Sequence, residues 1–417
     1  MRKLIIKGEK KLEGEIEIKG SKNAALALIP ATLLIEGEVI LKNVPRINDV
    51  QVIIEIMKYL GSKINVEKNT LFIDNRDVYY KDLIIPEVKM LRGSILFLGP
   101  VLSKFKNIKI YFPGGDLIGA RPIDTHIKAI NDLGANLTIN DSIIEGNFNK
   151  FLNNKVILKE TSVTASENLI TFACNSPKPI QLRLVAIEPS VQSLCLFLRK
   201  VGYEIRGIGS HFLTVKKGKK IKKEIIFTVP PDPIESATFL SLALATKSKL
   251  IIKNNKIDEL DSLIITLKEM KANFRIKNND IYVYESNLKS TKIQTGLYPK
   301  LATDFQPVLG TLATQANGVT FIHEWMYENR LSYLKELALM GANVEILDPH
   351  RAIVIGPTPL IGKEIKALDI RHGAALIIAG LIAKGETIIH EAEIIDRGYE
   401  NIVERLKNIG ADIKKED

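Results

Sequence analysis

Arginines and carboxylates recur in short clusters along this 417-residue chain. Lys22 stands in Gly20-Ser21-Lys22-Asn23-Ala24-Ala25-Leu26, and Asp116 and Arg121 share a glycine-rich stretch downstream of Arg92. Further along come Thr303-Asp304-Phe305-Gln306, Tyr327-Glu328-Asn329-Arg330, Asp369-Ile370-Arg371 and Asp396-Arg397-Gly398-Tyr399-Glu400. A guanidinium presents paired N–H donors to planar carboxylates and phosphates, so several that converge suit a small, doubly anionic substrate. A carboxylate among them can serve as a base.

Gly20 and Ser21 admit a tight turn and a helix cap, the alanines keep the following helix thin, and Lys22 carries a flexible ammonium to the helix mouth. The spacing of a P-loop is absent. The stretch Pro113-Gly114-Gly115-Asp116-Leu117-Ile118-Gly119-Ala120-Arg121-Pro122 has three glycines between two prolines. It predicts a mobile loop with stiff ends that carries Asp116 over a bound substrate on closure. A Gly-x-Gly-x-x-Gly dinucleotide fingerprint cannot be laid over it.

Other chemistries find no support. His126, His211, His323, His350, His372 and His390 show no metal-ligand spacing and read as structural or solvated, so neither a metal nor a cofactor is expected. There is no Gly-x-Ser-x-Gly elbow for acyl transfer. Cys174 and Cys195 lie in apolar surroundings without CxxC spacing and read as reduced core residues. The formal charge of +10 favours an anionic partner. The basic run 216–223 nevertheless reads as a solvated turn, and with few aromatics interleaved, nucleic-acid binding is not expected. The longest apolar runs, Ala24–Ile35 and Ala374–Ala383, are too short to span a membrane. The residues after Met1 lack the apolar core of a secretory signal, so a cytoplasmic protein is expected, with no obligate protein partner evident.

Bringing such distant clusters together requires a scaffold, and an internal repeat offers one. A helix-like tail, a glycine and a short strand recur at Leu60-Gly61, Leu133-Gly134, Val201-Gly202, Met340-Gly341 and Ile409-Gly410. A sixth copy at Met270-Lys271 lacks the glycine, and the period is about 70 residues throughout. Glycine after a helix suits a left-handed C-cap. Upstream in each unit lies a stretch rich in small apolar residues that predicts a buried helix, for example Ala24–Leu34, Gly93–Leu102, Ile234–Leu244, Pro307–Ala316 and Gly373–Ile382. Strand-like runs separate the two helices, at Val39–Leu41, Ile108–Tyr111, Leu250–Ile252 and Thr387–Ile389. Each unit then reads strand, helix, strand, helix, strand, strand.

Matched places in the units carry the clusters. Twelve residues before the helix-terminal residue stand Asn48, Arg121, Pro189, Asp258, Glu328 and Arg397. Farther upstream, where apolar helices begin, stand Lys22, Arg92, Asp304 and Arg371. A Lys or Arg at a helix N-terminus opposes the dipole, so propensity does not explain it, whereas an anionic ligand would.

At these residues the sequence resembles the bacterial enolpyruvyl transferases, in particular the branch that acts on UDP-N-acetylglucosamine. The segments Gly-Ser-Lys-Asn-Ala-Ala-Leu, Pro-Gly-Gly-x-x-Ile-Gly-Ala-Arg-Pro-x-Asp-x-His, Thr-Asp-x-Gln, Glu-Asn-Arg, Asp-x-Arg and Ile-Asp-Arg-Gly-Tyr-Glu carry it, in order, across essentially the whole chain. The resemblance implies an α/β fold: a two-domain inside-out α/β barrel built from six β-α-β-α-β-β repeats, with helices in the core. It implies one domain over 22–229, holding the mobile loop 113–122 and the uridine-binding segment, and a second over 1–21 plus 230–417, with the active site in the cleft between them.

The same resemblance assigns residues. Lys22 and Asn23 are expected to contact phosphoenolpyruvate and the UDP-sugar. Arg92, Arg121 and Arg397 are expected at the phosphate of phosphoenolpyruvate, with the UDP-sugar as an alternative contact for Arg92, and Arg330 and Arg371 at the carboxylate of phosphoenolpyruvate. Arg121, Pro122, Ile123, Asp124 and Thr125 match the uridine pocket, with Ser162 and Val163 near the diphosphate. Asp304 matches the base for the sugar 3-hydroxyl, Met326 a sugar contact, and Asp369 a further substrate-binding position. Asp116, Lys22, Asp304 and Arg397 form the expected catalytic set.

Departures from the family pattern are few. The loop tip, commonly Cys in the family, is Asp116, which implies a carboxylic acid as proton donor and resistance to the epoxide antibiotic fosfomycin. Thr164 stands where Gly is usual, the segment 186–190 diverges, and Asn48 replaces a common Lys or Arg. Two rivals remain: a 3-phosphoshikimate 1-carboxyvinyltransferase, whose Gly-Asn-Ala/Ser-Gly-Thr and Ser-Lys-Ser segments are absent, and a non-catalytic basic repeat protein that binds nucleic acid.

Overall fold

The computed structural model describes residues 2–115 and 118–416. Asp116, the expected proton donor, lies outside the described residues. In chain order the α-helices are α1 Lys22–Ala31, α2 Asn48–Tyr59, α3 Pro86–Met90, α4 Leu98–Phe105, α5 Asp124–Asp132, α6 Val163–Ala173 and α7 Pro189–Val201. They continue as α8 Pro233–Ala245, α9 Asp261–Glu269, α10 Gln306–Ala313, α11 Tyr333–Leu339, α12 Ile370–Ile382 and α13 Ile402–Lys407.

The first helix of most repeats is apolar nearly all round. Every residue from Ile234 to Ala245 in α8 and from Ile370 to Leu381 in α12 is buried, and α1 exposes only Asn23. A helix without a polar face is stable only inside a core. In one unit α8, α10 and α12 pack on one another, and in the other α1 packs on α7 and α4 on α6. Small residues permit the close approach: a Cβ at Gly99 would lie 2.3 Å from Asn168 O and from Thr171 Oγ1.

The repeat calls for a buried helix in the third unit as well, and α6 fills that place without being marked by its own composition. Ser166, Glu167, Asn168 and Thr171 break its apolar pattern, yet all four are buried. Each finds an internal partner, for example Ser190 Oγ to Glu167 Oε1 at 2.9 Å and Gly99 N to Asn168 Oδ1 at 2.8 Å. Satisfied polar groups tolerate burial, which hydropathy alone does not register.

The helix ends follow the glycine pattern. Gly61, Gly134, Gly202, Gly341 and Gly410 all have positive φ, and Lys271 adopts the same left-handed conformation at φ 59° where the sixth unit lacks a glycine.

Contacts divide the chain into a first unit, Gly20–Asp116 with Arg121–Pro230, and a second, Met1–Lys19 and Leu117–Ala120 with Pro231–Asp417. Each holds its own hydrophobic core and three sheets. A regular sheet has one parallel pair followed by an antiparallel hairpin, as in Lys292–Gln294, Gly318–His323, Arg351–Gly356 and Asn343–Asp348.

Three sheets depart from the simple repeat by borrowing strands. Glu224–Thr228 returns to pair in parallel with Glu38–Lys42 and completes the first sheet. Glu13–Glu17 completes the sheet of Lys249–Lys253, and Lys3–Lys7 inserts between Glu386–His390 and Asp412–Glu416. Each unit is thereby closed by strands from its own sequence extremes, which leaves fewer unpaired edges. The sheet of the second repeat has three strands, Asn107–Tyr111, Ile143–Phe148 and Ala135–Asn140, and its fourth position is a single bridge from Leu83 to Ile110.

Candidate active site

In the second unit three buried helices each begin with an acid. Asp232 caps α8 by accepting the Ile234 amide at 2.8 Å, and Asp369 caps α12 by accepting the amides of Arg371 and His372 at 2.7 and 3.0 Å. Asp304 lies in the 3-10 turn Thr303–Phe305 that leads into α10. Carboxylates there complement the free N–H groups and the dipole.

Two arginines cross this acidic end. Arg330 bonds to Asp304, lies 3.4 Å from Asp369, and donates from Nε to Thr303 Oγ1 at 3.3 Å. Arg371 Nε donates to Asp304 Oδ2 at 3.1 Å, and its guanidinium lies 5.5 Å from the Tyr399 ring centre. Tyr399 in turn shares a 2.8 Å hydrogen bond with Thr238. Burial disfavours the charge on Arg371, but Tyr399, Asp304 and Asp232 outweigh it and raise its pKa. Burial likewise opposes the charge on Arg330, and Asp304, Asp369 and Glu324 outweigh it.

The arrangement leaves one donor unmatched. Arg371 is 5% exposed, and its Nη1 has no hydrogen-bond partner. Gly398 borders it: a Cβ there would come within 3.5 Å of Nη1 and 2.4 Å of Ile370 Cγ2. Arg397, next to Gly398, is half-buried at the end of the turn Ala392–Arg397, and Met326 is half-buried four residues before Arg330. Asp304, Arg330, Asp369 and Arg371 thus form one network.

In the first unit Lys22 opens α1 behind the cap of Ser21, whose Oγ accepts the Ala24 amide. Its Nζ lies 2.7 Å from Asp49 Oδ2, and both side chains are buried; Asn23 beside it is exposed. Arg92 begins the 3-10 turn that packs on α1, and its Nη2 donates to the carbonyls of Arg121 and Pro122 at 2.5 and 3.2 Å. A Cβ at Gly115 would lie 2.9 Å from Arg121 Nη2 and from Arg92 Cβ, so Arg92, Gly115 and Arg121 are in close contact.

The segments 121–126 and 159–164 run side by side, joined by three side-chain links. Asp124 pairs with Lys159 at 3.0 Å, Thr125 Oγ1 donates to Glu160 at 3.2 Å, and His126 Nε2 lies 3.1 Å from Thr164 Oγ1. Lys159 holds the Asp124 carboxyl below its usual range. Ile123 is buried just before α5, and Pro122 and Asp124 are exposed. Ser162 caps α6, accepting the Ala165 amide at 3.4 Å, and Val163 is its first residue. Asn168 Nδ2 donates to Ile95 O and to His126 Nδ1, so the His126 ring proton sits on Nε2 and is donated to Thr164. Burial and the nearby Arg92 push the His126 pKa down to about 3.

The comparisons agree on one lineage. A family model described as EPSP synthase (3-phosphoshikimate 1-carboxyvinyltransferase) matches residues 6–406. UDP-N-acetylglucosamine 1-carboxyvinyltransferase of Borreliella burgdorferi is 36% identical over 100% of this chain and 99% of its own. The enzyme of that name from Campylobacter lari is 36% identical over 99% of each. The chain belongs to the enolpyruvyl transferase family. The enolpyruvyl transferase NikO from Streptomyces tendae shares the fold with a TM-score of 0.90 at 22% identity, covering 100% of this chain and 99% of its own. EPSP synthase from Acinetobacter baumannii does so with a TM-score of 0.79 at 18% identity, covering 100% of both.

Membership makes the protein a transferase and accounts for its six α/β repeats. Two residues in this enolpyruvyl transferase escaped the sequence reading. Asp49 showed only as an acid in the first turn of α2, one place after the matched Asn48. Glu324 showed only as a charged residue after an apolar strand, a pattern shared with many surface residues. Among the described residues no three His, Cys, Asp or Glu are grouped to hold a metal, and no helix is long and apolar enough to cross a membrane.

Proposed function

We propose that the protein transfers the enolpyruvyl group of phosphoenolpyruvate to the 3-hydroxyl of UDP-N-acetylglucosamine, releasing phosphate, in the first committed step of peptidoglycan precursor synthesis. The observation that carries this reading is the unmatched Nη1 of buried Arg371 beside Asp304, in a chain 36% identical over its full length to enzymes of that name. A buried charged donor left without a partner costs a few kcal/mol, about 1–3 or more, which an anionic group on a substrate would offset.

Asp304 takes the proton of the 3-hydroxyl as its oxygen attacks C2 of phosphoenolpyruvate, and C3 gains a proton from Asp116. The product of this addition is a tetrahedral phospho-ketal. Loss of a proton from C3 then expels phosphate as the C2–O bond breaks and restores the enol ether. Arg330 and Arg371 take the donor's carboxylate; Lys22, Arg92, Arg121 and Arg397 take its phosphate and stabilise it as it leaves. Asn23, Pro122, Ile123, Asp124, Thr125, Ser162, Val163, Met326 and Asp369 complete the contacts to the sugar nucleotide. Both substrates are polyanions that do not cross a bilayer unaided, which supports a cytoplasmic enzyme. Asp116 in place of a loop cysteine supports resistance to fosfomycin, since the thiolate that would open the epoxide is absent.

Phosphate release from phosphoenolpyruvate tests the reading, with UDP-N-acetylglucosamine and shikimate 3-phosphate as alternative acceptors. Release with the sugar nucleotide alone is the expected result. Release with shikimate 3-phosphate only, or with neither, overturns it.

A further inference from the structure

Glu324 follows the strand Gly318–His323 and has no exposed surface. The backbone around it is held at every step. Its amide donates to His350 O at 2.7 Å, and His350 Nδ1 donates back to the Glu324 carbonyl at 2.8 Å. The next amide, of Trp325, donates to Thr295 Oγ1 at 2.8 Å, and the one after, of Met326, donates to the Glu324 side chain itself at Oε1, 2.8 Å. The carboxylate therefore closes a turn on its own chain and sets the direction in which Met326 leaves it. Asn and Asp side chains close similar local turns.

The same carboxyl reaches the acidic network. The Thr303 and Thr295 hydroxyls favour its ionised form, and Arg330 lies close enough for an electrostatic pull, while burial works against its charge and dominates. Thr303 also accepts from Arg330 Nε and directly precedes Asp304. The second oxygen, Oε2, is buried with no hydrogen-bond partner. Retaining a carboxyl that is only half satisfied is costly for packing alone; an apolar side chain of similar size would be cheaper.

We infer that Glu324 is a positioning residue for the acceptor sugar, holding Met326 in place through its amide and tying that segment to the Thr303–Asp304 turn. The inference rests on the enolpyruvyl-transfer reading above and extends it to a residue that touches no substrate.

Two conservative variants test it, neither of which removes the buried side chain. Glu324→Gln keeps an oxygen that can accept the Met326 N–H, whereas Glu324→Met keeps the length and bulk of the side chain but has no oxygen to accept it. Steady-state phosphate release is measured with UDP-N-acetylglucosamine varied at saturating phosphoenolpyruvate, and sugar-nucleotide binding is followed by calorimetry. Loss of one buried hydrogen bond predicts a KM for the sugar nucleotide raised about tenfold in Glu324→Met, with weaker binding to match. Glu324→Gln is expected within about threefold of the parent. A purely structural role would reduce the folded fraction and leave the KM of the surviving enzyme unchanged. An unchanged KM in Glu324→Met, or a Gln variant as impaired as the Met variant, overturns the inference while the parent's activity stands. A parent that neither binds the sugar nucleotide nor releases phosphate with it overturns the functional reading and this inference together.

Discussion

Lys22 Nζ and Asp49 Oδ2 meet 2.7 Å apart with both side chains buried, one in the first turn of α1 and the other in the first turn of α2. A lysine at a helix N-terminus faces the positive end of the dipole, and Asp49 offsets that field. The pair holds the ammonium in one place, where the proposed reaction would bring a phosphate to it. Removing one partner of a buried pair leaves the other uncompensated and destabilises by about 3–5 kcal/mol. Asp49→Ala should lower the melting temperature and raise the KM for phosphoenolpyruvate. Thermal unfolding and steady-state kinetics on one preparation check both; an unchanged melting temperature would show the pair to be dispensable.

Arg371→Lys should keep the positive charge yet lose most activity. Nε donates to Asp304, and the buried Nη1 has no hydrogen-bond partner, which leaves it for the anion the proposed reaction would bring. A lysine offers a single point of charge and cannot serve both. Hydrogen bonds to charged groups are worth about 1.5–3 kcal/mol, so kcat/KM for phosphoenolpyruvate should fall on the order of a hundredfold. Retention of activity within threefold would remove Arg371 from the binding set.

Two buried groups in the first unit should make stability depend on pH in opposite senses. His126 has a folded pKa of about 3, below the ordinary value of 6.5. The unfolded chain therefore binds the extra proton, and the stability present above pH 6.5 is lost on acidification toward pH 3, at about 1.4 kcal/mol per unit. Burial raises Glu167 to about 8 from 4.5, with Ser190 opposing the shift and Glu188 adding to it. There the folded chain binds the extra proton, so that contribution is complete below pH 4.5 and disappears as pH rises to 8. Urea unfolding between pH 4 and 8 should show a flatter acid limb in His126→Gln and a flatter neutral limb in Glu167→Gln. Identical pH slopes in parent and variants would contradict both shifts.

Asp116 should govern both protonation and drug sensitivity. Replacing a positioned general acid typically slows a reaction by about 10²–10⁴-fold, and Asp116→Asn should fall in that range. Asp116→Cys should remain active and acquire a fosfomycin adduct visible in the intact mass. An adduct on the parent enzyme would refute the expected resistance.

The outline of the fold was readable because its signals are local. Helix-terminal glycines every 70 residues or so, and helices such as α8 and α12 that are apolar on all sides, depend on side chains within a few turns of each other. α6 is legible from the repeat but not from its own composition, for the converse reason. Its Ser166, Glu167, Asn168 and Thr171 look solvent-facing until Ser190, His126 and Gly99 arrive from other segments to satisfy them.

The chain's own order of residues determined the α/β repeat and the enolpyruvyl transferase lineage, since composition, caps and motifs are properties of neighbouring residues. Only the tertiary structure decided that Lys3–Lys7 lies between two strands nearly four hundred residues away, that Asp49 holds Lys22, and that Arg330 and Arg371 share Asp304. Those pairings join groups far apart in the chain. They are selected by the total free energy of competing arrangements, which no local pattern records.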